Sequence, residues 1–216
     1  MYFSSAAVFA ALLGTASAHF QMQYPLPRGP FVESKEPTFC DGYTTSVSNR
    51  TVFPLSGGSL SLNSEHPTWT FGVQLSTLAN PQSFGNFSPA VPFFQVQGEG
   101  AFCFPIDLAA ANLPGVQDGA NVTLQFTFDG GDGELFQCAD LTLSASAPPA
   151  SISCTNATGD SVQTLSAQPS IAPSSSSSSS SSTTSAPAQT SSSAASANAV
   201  VGFTGLFGLL AVFASL

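Results

Sequence analysis

Basic side chains are almost missing from this sequence. Lys and Arg together number three, Arg28, Lys35 and Arg50, against twelve Asp and Glu, for a formal charge of −9. Three residues cannot build a basic patch, which excludes the electrostatic footprint of nucleic-acid binding. Histidine is scarcer still, with two copies, His19 and His66. Signatures of hydrolysis are missing too: there is no G-x-S-x-G elbow, and a Ser-His-Asp triad would have to use one of those two histidines. No pair of carboxylates has a spacing that singles it out for glycosidic work, so no catalytic residue is assigned. The acidic turn Asp129-Gly130-Gly131-Asp132-Gly133-Glu134 lacks the ligand spacing of an EF-hand, and a glycine-rich hairpin accounts for it without calcium.

What is present is concentrated at the two ends and in four cysteines. Residues 1–18 carry the apolar run AAVFAALLG and then Ala16-Ser17-Ala18, whose small side chains fit a signal-peptidase site. Cleavage after Ala18 is expected, so that the mature chain begins at His19. Residues 199–216, AVVGFTGLFGLLAVFASL, form an uncharged apolar tail preceded by small residues. That pattern predicts a GPI signal, with attachment among residues 191–198 and the tail removed on maturation; a C-terminal transmembrane helix is the rival. Residues 161–198, rich in Ser, Thr and Pro, have too few apolar side chains to offset the entropy of ordering and predict a disordered, O-glycosylated stalk. The product would be a secreted glycoprotein on the outer face of the plasma membrane or in the cell wall. One domain, residues 19–160, remains, long enough to bury a core.

Cys40, Cys103, Cys138 and Cys154 all fall inside that domain, and an even count behind a secretory leader predicts two disulfides. Three connectivities are open. Cys40 with Cys154, tying the ends of the domain, and Cys103 with Cys138 is the pairing expected. Asn49, Asn86, Asn121 and Asn156 each head an N-x-S/T sequon and predict surface glycosylation.

The domain reads as all-β. Trp69, Phe71, Val73 and Leu75 alternate with smaller or polar residues, as do Val122, Leu124, Phe126 and Phe128, and period two with one apolar face is a half-buried strand. Shorter strands are expected at residues 47–55, 59–62, 91–97, 101–106 and 135–144, with one helical turn at 108–112. Six or seven strands with disulfides predict an immunoglobulin-like or fibronectin-III-like β-sandwich. The segment Pro25-Leu26-Pro27-Arg28-Gly29-Pro30 is expected to be extended polyproline II.

A mature N-terminal histidine has a particular chemistry. Its α-amine and ring Nδ1 can close a chelate ring on one metal, and a second imidazole, His66, can supply a third nitrogen. Pro67 keeps the backbone at His66 extended. Three nitrogen donors in a near-planar set suit Cu(II).

With its leader, all-β domain, stalk and tail, the chain resembles the fungal LPMO-like copper-acquisition factors, GPI-anchored relatives of the lytic polysaccharide monooxygenases (LPMOs). The stretches AHF, FCDGY, AFCFPIDL and FQCADLTL carry the resemblance. It implies one copper held by a histidine brace plus an aspartate, which fall on His19, His66 and Asp140. A carboxylate at the axial side favours Cu(II) and takes up space that oxygen chemistry needs. The resemblance therefore implies a copper carrier, with a copper transporter or wall glycans as further partners. A copper-dependent oxidoreductase acting on wall polysaccharide is the alternative, and a metal-free structural wall glycoprotein the second.

Overall fold

In a computed structural model of the chain, residues 19–150, 152, 155–157 and 160–169 are described. The expected leader, Cys154, most of the expected stalk with its attachment region, and the apolar tail lie outside them. The described residues form nine strands: β1 (Phe20–Tyr24), β2 (Thr51–Pro54), β3 (Gly58–Ser64), β4 (Thr68–Ser76), β5 (Ser88–Gln97), β6 (Gly100–Ile106), β7 (Asn121–Asp129), β8 (Glu134–Ser144) and β9 (Ser161–Thr164). They pair into a three-stranded sheet, β1-β3-β6, and a six-stranded sheet, β2-β8-β7-β4-β5-β9. All pairings are antiparallel except β2 with β8. The expected all-β sandwich is the fold found, and the helical turn near residue 110 is a short 3-10 segment, Ala109–Ala111.

The core follows from the alternation. Phe71, Val73 and Leu75 of β4 and Val122, Leu124, Phe126 and Phe128 of β7 face inward against Leu60, Leu62, Phe102 and Phe104 of the smaller sheet. Trp69 sits at the centre of an aromatic cluster, stacked 5.1 Å from Phe128 and edge-on to Phe102 at 5.1 Å. Its indole N–H, which burial would otherwise leave orphaned, donates to the Gly98 carbonyl at 3.0 Å.

The other face of the six-stranded sheet is also buried, which the alternation alone does not announce. Thr123, Gln125 and Thr127 of β7 are each 0 % exposed. Residues 25–50 lie over this face and are clamped to it by Cys40–Cys138 and by Arg28 on Asp140. Part of the expected 47–55 strand belongs to this wrap: Val47 donates its N–H to Asp140 and Ser46 to Asn80, so β2 begins only at Thr51.

The disulfide Cys40–Cys138 corrects both expected pairings. In β6 the core-facing residues are Phe102 and Phe104, so Cys103 points away from the core; in β8 they are Ala139 and Leu141, so Cys138 also points away, from the other sheet. Two packed sheets stand about 10 Å apart, too far for a disulfide to cross from outer face to outer face. Cys103 is itself disulfide-bonded.

β9 follows directly on the expected boundary at residue 160. Ser161–Thr164 adds an edge strand to β5, and the Gln168 side chain extends it by accepting from Phe93 N and donating to Phe93 O at 3.2 Å. Asn49, Asn121 and Asn156 are exposed and Asn86 is partly so, which leaves every sequon on the surface.

Candidate metal site at the histidine end of the sandwich

Both histidines lie at one end of the sheets. His19 immediately precedes β1, and its carbonyl accepts the Glu65 N–H at 3.0 Å, one rung beyond the Phe20–Ser64 pair. His66 follows one residue later, in the short link from β3 to β4, where its N–H donates to Ser64 Oγ at 3.2 Å. The His66 ring packs 5.5 Å from Phe128, and Phe128 stacks on Phe20 at 4.8 Å with the planes 2° apart. The pairing of β1 with β3 and the Phe20–Phe128 stack thus bring residues 19 and 66 to one place from 47 positions apart in the sequence.

Each imidazole has a carboxylate. His19 Nδ1 lies 2.6 Å from Glu36 Oε2 and its Nε2 3.2 Å from Glu33 Oε1, while Phe31 meets the ring edge-on at 5.7 Å. His66 Nε2 lies 3.5 Å from Asp132 Oδ1. Asp132 belongs to the turn between β7 and β8, so the turn is the hairpin expected from its glycines and also delivers an acid to His66. Gly130 in that turn makes room for the ring, because a Cβ there would fall 2.2 Å from His66 Cε1.

Asp140 is somewhere else. It lies five residues along β8 from Leu135, the partner of Phe128, a distance of roughly 17 Å at strand rise. It also points to the outer face, under the wrap. Both its oxygens are taken: Arg28 Nε donates to Oδ2 at 2.9 Å and Nη2 to Oδ1 at 3.0 Å, Thr123 Oγ1 donates to Oδ1 at 2.6 Å, and Val47 N–H to Oδ2 at 2.9 Å. Burial raises its carboxyl, but the hydrogen bonds of Arg28, Thr123 and Val47 and the Arg28 charge outweigh it and hold Asp140 below the ordinary value. The aspartate expected as third ligand is thus a structural ion-pair partner, and Asp132 holds the position beside a histidine.

Glu36 is the contrary case. It is 0 % exposed, and burial pushes its carboxyl up to about 7, against the lowering pull of the His19 charge and the Phe20 N–H. Among the described residues no three His, Cys, Asp or Glu side chains converge in a ready-made metal cluster. The arrangement is instead two imidazoles at one end of the sheets, each with an acid beside it.

Residues 17–159 match the family model described as copper acquisition factor BIM1-like. The chain belongs to the BIM1-like family. It is 42% identical over 159 residues to the protein named copper acquisition factor BIM1 of Cryptococcus neoformans var. grubii, covering 69% of this chain and 71% of that one. To the protein of the same name from Cryptococcus neoformans var. neoformans it is 43% identical over 141 residues, or 61% and 63% of the two lengths. A more distant relative, 28% identical over 172 residues, is the lytic polysaccharide monooxygenase-like protein X325 of Yarrowia lipolytica, with 75% of this chain and 63% of that one covered. A copper-related role comes with the BIM1-like family. The donors at the histidine end fit that metal: imidazole nitrogens with a carboxylate oxygen are a Cu(II) set, whereas no soft thiolate is offered, since neither Cys40 nor Cys138 is free.

Asp132, Glu33 and Glu36 are the residues that sequence reasoning missed. Nothing in the local pattern around them signals a ligand. Only the register of β7 on β4, Asp129 opposite Thr70, shows that the turn after β7 ends beside the start of β4 and hence beside His66.

Proposed function

We propose that this protein is a cell-surface copper(II)-binding protein that captures copper by an N-terminal histidine brace and does not cleave polysaccharide. His19 supplies its α-amine and Nδ1, His66 a second imidazole, and Asp132 the carboxylate. When bound, the metal provides a Lewis-acidic centre whose oxidation state depends on its ligands. The chain's own residues hold it: Phe20, Phe128 and the Glu65–His19 hydrogen bond fix the two histidines at one end, and Gly130 admits the His66 ring against the hairpin. The observation that carries the reading is the position of Asp132, 3.5 Å from His66 Nε2 and 52 % exposed, free to turn toward an arriving cation. A leader ending at Ala18 and a GPI anchor complete the proposal by exposing the His19 amine at the cell surface.

The test is Cu(II) titration with EPR on secreted protein shown by N-terminal sequencing to begin at His19. One equivalent of a type 2 signal with nitrogen hyperfine structure is expected. Absence of stoichiometric binding would return the protein to the metal-free structural class. The X325 relative keeps the oxidoreductase reading in view. Reduced, peroxide-fed protein that releases C1- or C4-oxidised oligosaccharides from chitin, cellulose or glucan, and loses this in His66→Ala, would establish it.

A further inference from the structure

Among the sequon asparagines, Asn86 is the one whose amide is pinned by the fold. It closes the 3-10 turn Phe84–Asn86 between β4 and β5. Its Oδ1 accepts three hydrogen bonds, from Gln82 N–H at 3.0 Å, Ser83 N–H at 3.1 Å and Ser83 Oγ at 3.1 Å, while its Nδ2 donates to no partner among the described residues. Asn121 has a single such bond, from Thr142 Oγ1 at 2.7 Å, and Asn156 commits its Nδ2 to Asp160 Oδ2 at 2.9 Å. An N-glycosidic bond replaces one hydrogen of Nδ2 and leaves the Oδ1 lone pairs as they are. The folded turn therefore carries a sugar on Asn86 without losing its caps, and it fixes the amide plane from which that sugar departs.

The turn is itself anchored. Phe84 packs edge-on against Phe136 of β8 at 4.6 Å and against Phe39 at 5.3 Å, and Phe87 meets Phe39 at 6.0 Å. β5 then starts at Ser88, opposite Leu75. Asn86 and Ser88 line a groove of about 380 Å3 together with Leu78, Leu113 and Pro114, toward the lower end of the range for small-ligand sites. Leu78 is 51 % exposed, one of five large apolar side chains left open to water among the described residues. A pyranose matches such a groove, because its ring faces are C–H surface and its hydroxyls lie around the edge. Asn49 and Asn121 line a wider cleft made mainly of Ser, Thr and Asn, which offers an apolar ring face less.

We propose that this groove is a seat for the protein's own N-glycan: the first N-acetylglucosamine on Asn86 lies in it, with an apolar face on Leu78, and ties the turn before β5 to residues 113–114. A sugar rooted at the rim loses little further freedom on settling and is held at an effective concentration of about millimolar or more, so modest contacts suffice. The seated sugar covers Leu78 and slows local opening of the turn. The groove is at the Ser76 end of β4, whereas His66 precedes the Thr68 end, so the inference does not depend on the metal.

The experiment uses the full reading frame secreted from a glycosylating host, as wild type, Ser88→Ala and Leu78→Ser. Ser88→Ala abolishes the sequon but keeps Asn86 and its caps; Leu78→Ser keeps the sequon and removes the apolar surface. Both side chains are exposed and neither makes a side-chain hydrogen bond among the described residues, so all three proteins should fold. Peptide mass mapping is expected to find Asn86 glycosylated in wild type and in Leu78→Ser. After endoglycosidase trimming to one N-acetylglucosamine per site, wild type should show NOEs from sugar protons to the Leu78 methyls that vanish in Ser88→Ala. Amide hydrogen exchange over residues 82–88 should be about tenfold slower in trimmed wild type than in Ser88→Ala, with Leu78→Ser as fast as Ser88→Ala. Unmodified Asn86 in the secreted protein, no sugar-to-Leu78 NOE, or equal exchange in wild type and Ser88→Ala overturns the proposal. Full protection retained in Leu78→Ser overturns the seat as assigned.

Discussion

Arg28 and Asp140, 112 residues apart in sequence, meet in a buried two-pronged contact on the outer face of the six-stranded sheet. Arg28 belongs to the proline-rich stretch expected to be merely extended, and it is one of three basic residues in the protein. Removing one partner of such a pair leaves the other buried and uncompensated. Asp140→Asn should therefore destabilise the domain by about 3–5 kcal/mol in denaturant melts. Copper affinity should stay within experimental error, because the pair is not at the histidine end. A selective loss of copper binding in a stably folded Asp140→Asn would restore it as a ligand.

The same carboxyl sets an acid limit. Its folded-state value lies below the ordinary 3.8, so its contribution to stability is complete above that pH and is lost as pH falls through the folded value. Thermal melts should show wild type losing stability steeply below about pH 4, and Asp140→Asn losing less over that window. Parallel pH curves for the two proteins would contradict the assignment.

Asp132→Asn tests the replacement ligand. Folding should be unaffected, as the side chain is half exposed in a turn, while Cu(II) binding weakens and the EPR parameters change. His66→Ala should remove a nitrogen donor and most of the affinity. Identical spectra from wild type and Asp132→Asn would remove that aspartate from the site.

Gly130→Ala puts a methyl group into the His66 ring, with Cε1 2.2 Å away. Ring or hairpin must shift. Tenfold or greater weakening of Cu(II) is expected from a displaced ligand, at a stability cost of about 1–3 kcal/mol for overpacking. Wild-type affinity would show that the brace does not depend on this contact.

An added residue before His19 converts the amine into an amide, a poor donor. Titration of protein with and without such an extension should show tight binding only for the native terminus. Equal affinity would take the α-amine out of the coordination set.

Much of the fold was legible because β4 and β7 alternate strictly, large apolar against small or polar, with one face in the core. β1, Phe-Gln-Met-Gln-Tyr, alternates as well, but five residues next to an expected cleavage site gave no independent signal. β9, Ser-Val-Gln-Thr, is a polar edge strand that only its pairing with β5 reveals. The two histidines could be singled out by scarcity and by the terminus. The carboxylate could not: Asp140 sits in a strand whose outward residues look solvent-facing until residues 25–50 are laid over them, and Asp132 approaches His66 only through strand register. Cys138 was paired with the wrong partner for the same reason.

β9 starts opposite Gln97, at the histidine end, and runs from there toward Phe94, with Gln168 seated on Phe93. Its direction gives the domain a front and a back. The chain therefore runs along β9 in the direction away from the histidine end, held to the sheet edge by four residue pairs and one glutamine side chain.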